Sequence, residues 1–284
     1  VDSHTLEKLE FDHIRRVLAE HAQCALGRQL ALRIAPSRRE AQVISWLRQA
    51  EQFTRFANAH GLPPFGGIRD VRDMLRRAVP PAKLEPEEFA ELASTLEGID
   101  AVRLYLAPAA EGYDHLDRLA GRIGDYRVIA QRIARVIDSR GRIRDDASER
   151  LERLRREIEE VRLKTREVFD RLLRQPATTR YLQYPNATFH DDRMVLPLRA
   201  DQRGRIAGII HRSSDSGQTL FVEPAEAVEL NNQRINLLQL EQEEINRILW
   251  ELTHLVHLNQ QPLLQTLDAV AVIDLLAAKV RMAR

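Results

Sequence analysis

Residues 151–172 read, in one-letter code, LERLRREIEEVRLKTREVFDRL, and their spacing decides the fold. Leu151, Leu154, Ile158, Val161, Thr165, Val168 and Leu172 follow one another in steps of three and four, with Arg and Glu crowding the positions between. Side chains so spaced share one face of an α-helix, so this is a heptad seam, apolar at every step except Thr165. A helix of ~30 residues carrying it would be ~45 Å long.

A second seam, Ile235, Leu238, Gln242, Ile245, Leu249, Leu252 and Val256, keeps the same stepping, with Gln242 as its polar intruder. Leu237, Leu240, Ile248 and Leu255 widen its apolar stripe, which predicts more than one neighbour. Two such helices in one chain are read as the arms of an antiparallel hairpin, the common local solution; pairing of each arm with a second chain is the alternative. Between the arms the period changes from 3.6 to 2. Residues 187–190, 194–199, 206–211 and 219–222 are rich in β-branched or bulky side chains. The turn signals Asp191-Asp192, Asp201-Gln202-Arg203-Gly204 and Ser213-Ser214-Asp215-Ser216-Gly217 separate them. Four short antiparallel strands are expected. Pro197 cannot donate to a ladder, so its strand is expected at an edge or with a bulge there. Pro224 ends the strands.

Outward from the hairpin the pattern is helical. Leu6, Leu9, Ile14, Val17, Leu18, Leu26 and Leu30 predict helix from Leu6 to about Leu32 with a break near 23–27. Ser37 with Glu40 three residues on predicts a capping box for the next helix, which ends before Gly61. Helices are expected at 71–78, at 89–106 behind Pro86, and at about 116–137. The expected division is a helical core at 1–144, an ascending helix at 145–176 and a β-rich tip at 177–225. A returning helix at 226–258 and a helix rejoining the core at 259–284 complete it. The fold class is mainly α: a helical core with a long antiparallel helical hairpin tipped by a small antiparallel β clamp.

Composition bounds the function. Lys+Arg 43 against Asp+Glu 42 leaves a net charge of +1, which argues against a chain coated in basic charge and leaves local patches open. Lys occurs only at positions 8, 83, 164 and 279, so the positive charge is mostly Arg, which suits bidentate phosphate contacts; a genome favouring Arg codons explains the bias as well. Cys24 is the single cysteine, which excludes an internal disulfide or a Cys-based zinc site. No apolar run approaches the ~20 residues that span a bilayer, and the polar stretch Val1 to Glu10 shows no leader, so no membrane and a cytoplasmic setting are expected.

Several stretches resemble a known family. They are Arg193-Met194-Val195-Leu196-Pro197-Leu198, Gly208-Ile209-Ile210-His211, Ser216-Gly217-Gln218-Thr219-Leu220-Phe221-Val222-Glu223-Pro224 and Glu229-Leu230-Asn231-Asn232, with Leu6-Glu7-Lys8-Leu9-Glu10-Phe11 near the start. Together they resemble the bacterial MutS paralogue of the type without a mismatch-reading domain, which usually ends in a small nuclease module. The resemblance implies that the base is the core of that family, the long helices its levers and the β tip its DNA-embracing clamp. No Gly-x-x-x-x-Gly-Lys-Ser/Thr loop is present, so the chain is expected to lack the ATPase; ATP and Mg are implied for that domain, and no cofactor is expected here. Asp191-Asp192 departs from the family's usual Gly-containing turn, which weighs against an anion contact at that corner.

The candidate DNA contacts are Arg180, Arg193, Arg199, Arg203, Arg205 and Arg212, with Tyr181, Tyr184, His190 and His211 nearby; Asp191, Asp192, Asp201 and Asp215 offset them, and a merely solvated tip is the plainer reading. His211 with Ser213, Ser214, Asp215 and Ser216 holds the ingredients of a Ser-His-Asp site, but their crowding into one turn predicts turn chemistry. His254 and His257 have ligand spacing without a third ligand. Phe89-Ala90-Glu91 and Phe221-Val222-Glu223 imitate the mismatch-probing Phe-x-Glu wedge and are read as accidental. The expected function is a non-mismatch-specific, non-catalytic grip on branched or duplex DNA, in recombination control or repair, with the parent a homodimer. The alternatives are an assembly arm, or an arm for ribosomal RNA in ribosome rescue.

Overall fold

The structure, a computed structural model, describes residues 3–284; Val1 and Asp2, the start of the stretch 1–10 expected to be polar and leaderless, lie outside the described residues. Helices α1 (Ser3–Lys8), α2 (Phe11–Glu20), α3 (Ala25–Leu32), α4 (Glu40–His60), α5 (Arg72–Arg77), α6 (Pro86–Leu106), α7 (Asp114–Ala120) and α8 (Arg127–Val136) come first. There follow α9 (Glu149–Arg174), the short α10 (Pro176–Thr179), strands β1 (Thr188–His190), β2 (Arg193–Arg199), β3 (Gly208–Ser213) and β4 (Thr219–Pro224), then α11 (Val228–Leu258) and α12 (Gln260–Met282). The chain divides into two compact units, one of Val1–Arg144 with Ile248–Arg284, the other Asp145–Arg247.

In the first unit α12 is the hub. Ala269, Val270, Ile273, Ala277 and Ala278 are fully buried, and these mostly small side chains let α3, α2, α4 and α5 pack on it. Asp274, equally buried, accepts the backbone N–H groups of Gln23 (3.0 Å) and Cys24 (2.9 Å), so a side chain from α12 satisfies the orphan donors where α3 begins. The stretch from Leu6 to Leu32 breaks at the expected place and once more at Glu10, whose φ of 50° is left-handed. The expected capping box at Ser37 does not form. Ser37 Oγ turns to the Arg39 N–H and to Gln42, and α4 starts at Glu40. A box forms instead on α6 between Glu85 and Glu88. The helix expected at about 116–137 is two helices, interrupted between Gly121 and Tyr126, where Thr266 accepts the Gly124 N–H at 3.1 Å.

In the second unit α9 and the first part of α11 pair within the one chain. Ser148 Oγ caps α9 by accepting the Leu151 N–H (3.0 Å) and donates to Glu244 on α11 (2.8 Å). Arg155 Nε donates to Glu241 at 2.8 Å, and Leu154 and Val161 pack with Leu237, flanked by Ile158 and Leu230. Partners climb along α9 as they descend along α11, so the pair is antiparallel. The face that α11 presents is rotated from the expected seam. Leu230, Leu237, Glu241 and Glu244 meet α9, whereas Ile235, Leu238 and Ile245 are only half-buried and Gln242 is exposed. The wide apolar stripe left the choice of face to the polar latch at Glu244.

That carboxylate is fully buried. Arg247 reaches it at 2.7 and 3.0 Å and Arg150 at 3.7 Å. The hydrogen bonds from Arg247, then those from Ser148, outweigh burial and bring its pKa from 4.5 down to about 2.

The four strands form one antiparallel sheet in the order β1-β2-β4-β3. Pro197 sits in β2, which lies inside the sheet rather than at an edge, and the bulge falls in β3 between Ile210 and Arg212. The missing N–H costs nothing there. β1 pairs only as far as Val195, and on that side the Pro197 carbonyl accepts the Gln183 N–H at 2.8 Å, so no ladder donor is lost. Phe169 and Leu172 of α9 pack with Leu182, Leu196 and Ala227, which seats the sheet on the helices. Asn231, buried on α11, clamps β2 by accepting the Met194 N–H (3.1 Å) and donating to the Met194 carbonyl (3.0 Å).

Beside that clamp the buried Glu223 collects donors. Asn231 reaches it at 2.7 Å, Arg193 at 2.8 and 3.1 Å, and the His211 ring at 2.6 Å, while Arg193 also donates to Asn232 at 2.7 Å. Burial pushes the Glu223 carboxyl upward, but the bonds from Asn231, His211 and Arg193 together hold it below the ordinary value of 4.5.

Two tests follow from these latches. Because the folded-state pKa of Glu244 is depressed, the stability it contributes is complete above pH 4.5 and is lost as the pH falls from 4.5 toward about 2. Glu244→Gln is expected to lower the stability of the second unit by about 1–3 kcal/mol at neutral pH and to converge with the parent chain in acid, read from urea midpoints at both ends. Arg193→Ala leaves the Glu223 charge without its main cation, so a loss of about 3 kcal/mol is expected, and Glu223→Gln on the same background should recover part of it.

Candidate nucleic-acid interface

The register of the sheet sorts the six candidate arginines. Arg199 pairs with Thr219 at one end of β2, and Ser213 pairs with Leu220 beside them, which puts Arg212 at the same end. The segment after α10 joins them, since the Arg199 N–H donates to the Tyr181 carbonyl at 3.0 Å and Leu182 bridges to Leu198. Arg180 follows α10, and its guanidinium lies 4.7 Å from the centre of the Tyr181 ring and donates to the Tyr181 hydroxyl at 2.6 Å. From the 200–207 segment the Arg205 guanidinium stands 6.0 Å from the same ring. Arg180, Arg199, Arg203, Arg205 and Arg212 therefore gather at one end of the sheet. Arg193 begins β2 at the other end and is turned onto Glu223, so it does not join them.

Charge separates along the sheet in the same way. At the Tyr181 end the contributing segments carry Asp201 and Asp215 as their carboxylates, whereas the Arg193 end carries the Asp191-Asp192 turn and Glu223. Asp201 takes Arg199 at 2.9 and 3.2 Å, and Asp215 takes Arg212 at 3.3 Å. Hydrogen bonds from Gln202 and then Arg199 hold the Asp201 carboxyl below its ordinary range. Arg180, Arg203 and Arg205 have no carboxylate partner among the described residues. Arg203 and Arg205 flank Gly204, whose φ of 82° is left-handed and beside which a Cβ would meet nothing within 4 Å, so that loop stands open to solvent.

The other candidates resolve into structure. Asp191 and Asp192 have φ of 45° and 60°, completing a two-residue hairpin turn between His190 and Arg193, and the Asp192 carbonyl accepts Arg234 at 2.5 Å. Tyr184 is exposed, and the His190 ring lies 5.4 Å from that of Phe221. His211 faces Glu223 and not a serine; Ser214 Oγ accepts the Thr219 N–H at 3.1 Å, and Asp215 pairs with Arg212, all ordinary turn chemistry. Phe89 and Glu223 are both fully buried, so neither Phe-x-Glu triplet presents a wedge. His254 and His257 lie on α11, and among the described residues no three His, Cys, Asp or Glu side chains are grouped to hold a metal. No helix of the described residues is long and apolar enough to cross a membrane.

Sequence reasoning missed the roles of Glu223, Asn231 and Asn232. The signal was present as two adjacent amides opening a long helix soon after a Glu-Pro pair, polar groups that a buried helix end holds only when they bond something.

No family model matches the chain. Curated relatives do match along nearly all of it. It is 34% identical over 281 residues to Endonuclease MutS2 of Geobacillus sp. (strain WCH70), covering 98% of this chain and 36% of that protein. It is 37% identical over 286 residues to Endonuclease MutS2 of Thermomicrobium roseum, covering 99% of this chain and 36% of that protein. With Endonuclease MutS2 of Brevibacillus brevis the identity is 32% over 285 residues, covering 100% and 36%. The chain thus spans about a third of the length of these relatives, and over that span it is a bacterial MutS paralogue of the MutS2 kind.

Proposed function

We propose that the second unit grips nucleic acid, with branched or duplex DNA as its target, through phosphate contacts made by the arginines around Tyr181. The observation that carries this reading is the gathering of five arginines at one end of the sheet, three of them with no carboxylate partner among the described residues. Uncompensated guanidiniums on an open loop repel one another, and a phosphate backbone relieves that repulsion while releasing its own counterions. Arg199 and Arg212 can exchange a solvent-exposed aspartate for a phosphate at little cost, since surface ion pairs contribute about 0–1 kcal/mol. Arg193 supports the sheet. The absence of an exposed Phe-x-Glu wedge among the described residues favours recognition of the backbone over recognition of a mismatch. In a whole MutS2-type protein this grip would serve recombination control or repair, under an ATPase and beside the nuclease for which the relatives are named. Two copies would close the clamp.

The test is a mobility-shift titration over a salt series, with duplex and four-way-junction DNA. Arg180→Ala, Arg203→Ala and Arg205→Ala combined are expected to weaken binding by about 10–100-fold and to flatten the log–log salt slope by about 2–3. Arg193→Ala, compared at matched folded fraction, should leave the slope unchanged. No DNA-dependent shift of the parent chain at low salt sinks the proposal. Structured ribosomal RNA that outcompetes both DNAs would move the target to RNA.

A further inference from the structure

The first unit contains a cavity of about 880 Å³ that the proposed grip on DNA does not use. Its volume falls in the range of roughly 300–1,000 Å³ typical of small-molecule sites. The walls are mainly apolar and include Phe11 of α2, Trp46 of α4 and the buried Leu276 of α12. Trp46 is 40% exposed, so its indole offers an apolar face to a molecule lying in the cavity. Among the described residues three cations also line the cavity and no carboxylate does: Arg33 after α3, Arg122 after α7 and Lys279 on α12. None of their side chains has a hydrogen-bond or ion-pair partner among the described residues. The neighbouring carboxylate, Asp268, lines a smaller adjoining cavity and lies 3.9 Å from Arg72.

Of the three cations Arg33 and Arg122 are exposed, whereas Lys279 is half-buried against the apolar wall, a costly setting for an ammonium without a partner among the described residues. Burial alone pushes the Lys279 ammonium below its usual range. A bound anion offsets that cost at Lys279 and accepts from Arg33 and Arg122 as well, and an apolar body on the same molecule covers the indole. The cations come from three separate elements and line the same open concavity, which suits a compact molecule better than an extended peptide.

We propose that this cavity binds a small aromatic anion, its head group held by Arg33, Arg122 and Lys279 and its ring system laid against Trp46 and Phe11.

Anilinonaphthalene sulfonate serves as the probe, with N-phenylnaphthylamine, which lacks the sulfonate, as its neutral counterpart. The chain has two tryptophans, so in Trp250→Phe, excited beyond the tyrosine band, Trp46 is the one tryptophan donor. We expect saturable, one-to-one binding of the anionic dye, quenching of Trp46 by energy transfer, and a urea midpoint that rises with dye concentration. The anionic dye should bind at least about tenfold more tightly than the neutral one. Lys279→Met and Arg122→Gln should each erase most of that preference and leave the neutral dye unchanged. Arg122 is exposed, so its variant remains informative if Lys279→Met fails to fold. Equal affinity for the two dyes, unaltered preference in the Arg122 variant, or no transfer from Trp46 overturns the proposal.

Discussion

A carboxylate held where water cannot reach it constrains the second unit. Glu244 lies within the contact between α9 and α11, and the apolar part of that contact is thin, built on Leu154, Val161 and Leu237 with Ile158 and Leu230 at its margins. A seam of that width slides easily from one register to the next. The Ser148 hydroxyl opposes it, because the cap on α9 fixes that hydroxyl in place and a shift of α11 by one residue would carry Glu244 out of its reach. Apolar contacts bring the helices together, and the polar latch decides where along their length they stop.

The same division of labour recurs where the helices meet the sheet. Phe169, Leu172 and Leu196 supply contact area, while Asn231 fixes β2 by holding both backbone groups of Met194. Glu223 then ties Arg193, His211 and Asn231 into one charged knot, which links β2, β3 and β4 to α11. With Arg193 held in the knot and Arg234 held by the Asp192 carbonyl, the sheet's arginines without a partner of either kind among the described residues gather at its opposite end, around Tyr181. The geometry of support and the polarity of the surface have one cause.

The large-scale pattern was legible in the residues, because period is a property of backbone geometry. Steps of three and four located both long helices, and the switch to alternation located all four strands to within two residues at each start. What depended on competition between similar options was not legible. The stripe on α11 is apolar over so wide an arc that hydrophobicity could not choose its inward face, and Glu244, a residue that reads as solvated, made the choice. Pro197 was expected at an edge or a bulge because a strand was taken to have neighbours along its full length; β1 is too short to reach it. The candidate site was half legible in the same sense. Arginine content placed six candidates at the tip, but only the pairing register and the contacts with Tyr181 separate the five at one end from Arg193.

The outermost strand carries a further consequence. Every residue of β3 is exposed, including Ile209 and Ile210, so one rim of the sheet offers unsatisfied backbone groups beside greasy side chains. Such a rim invites neighbouring molecules to stack on it in crowded solution. The irregularity between Ile210 and Arg212 interrupts the even spacing of donors and acceptors midway along that rim, and the guanidinium that follows adds charge where a stacked copy would bring its own. A kink of one residue thus spoils the even border that a stacked strand would need.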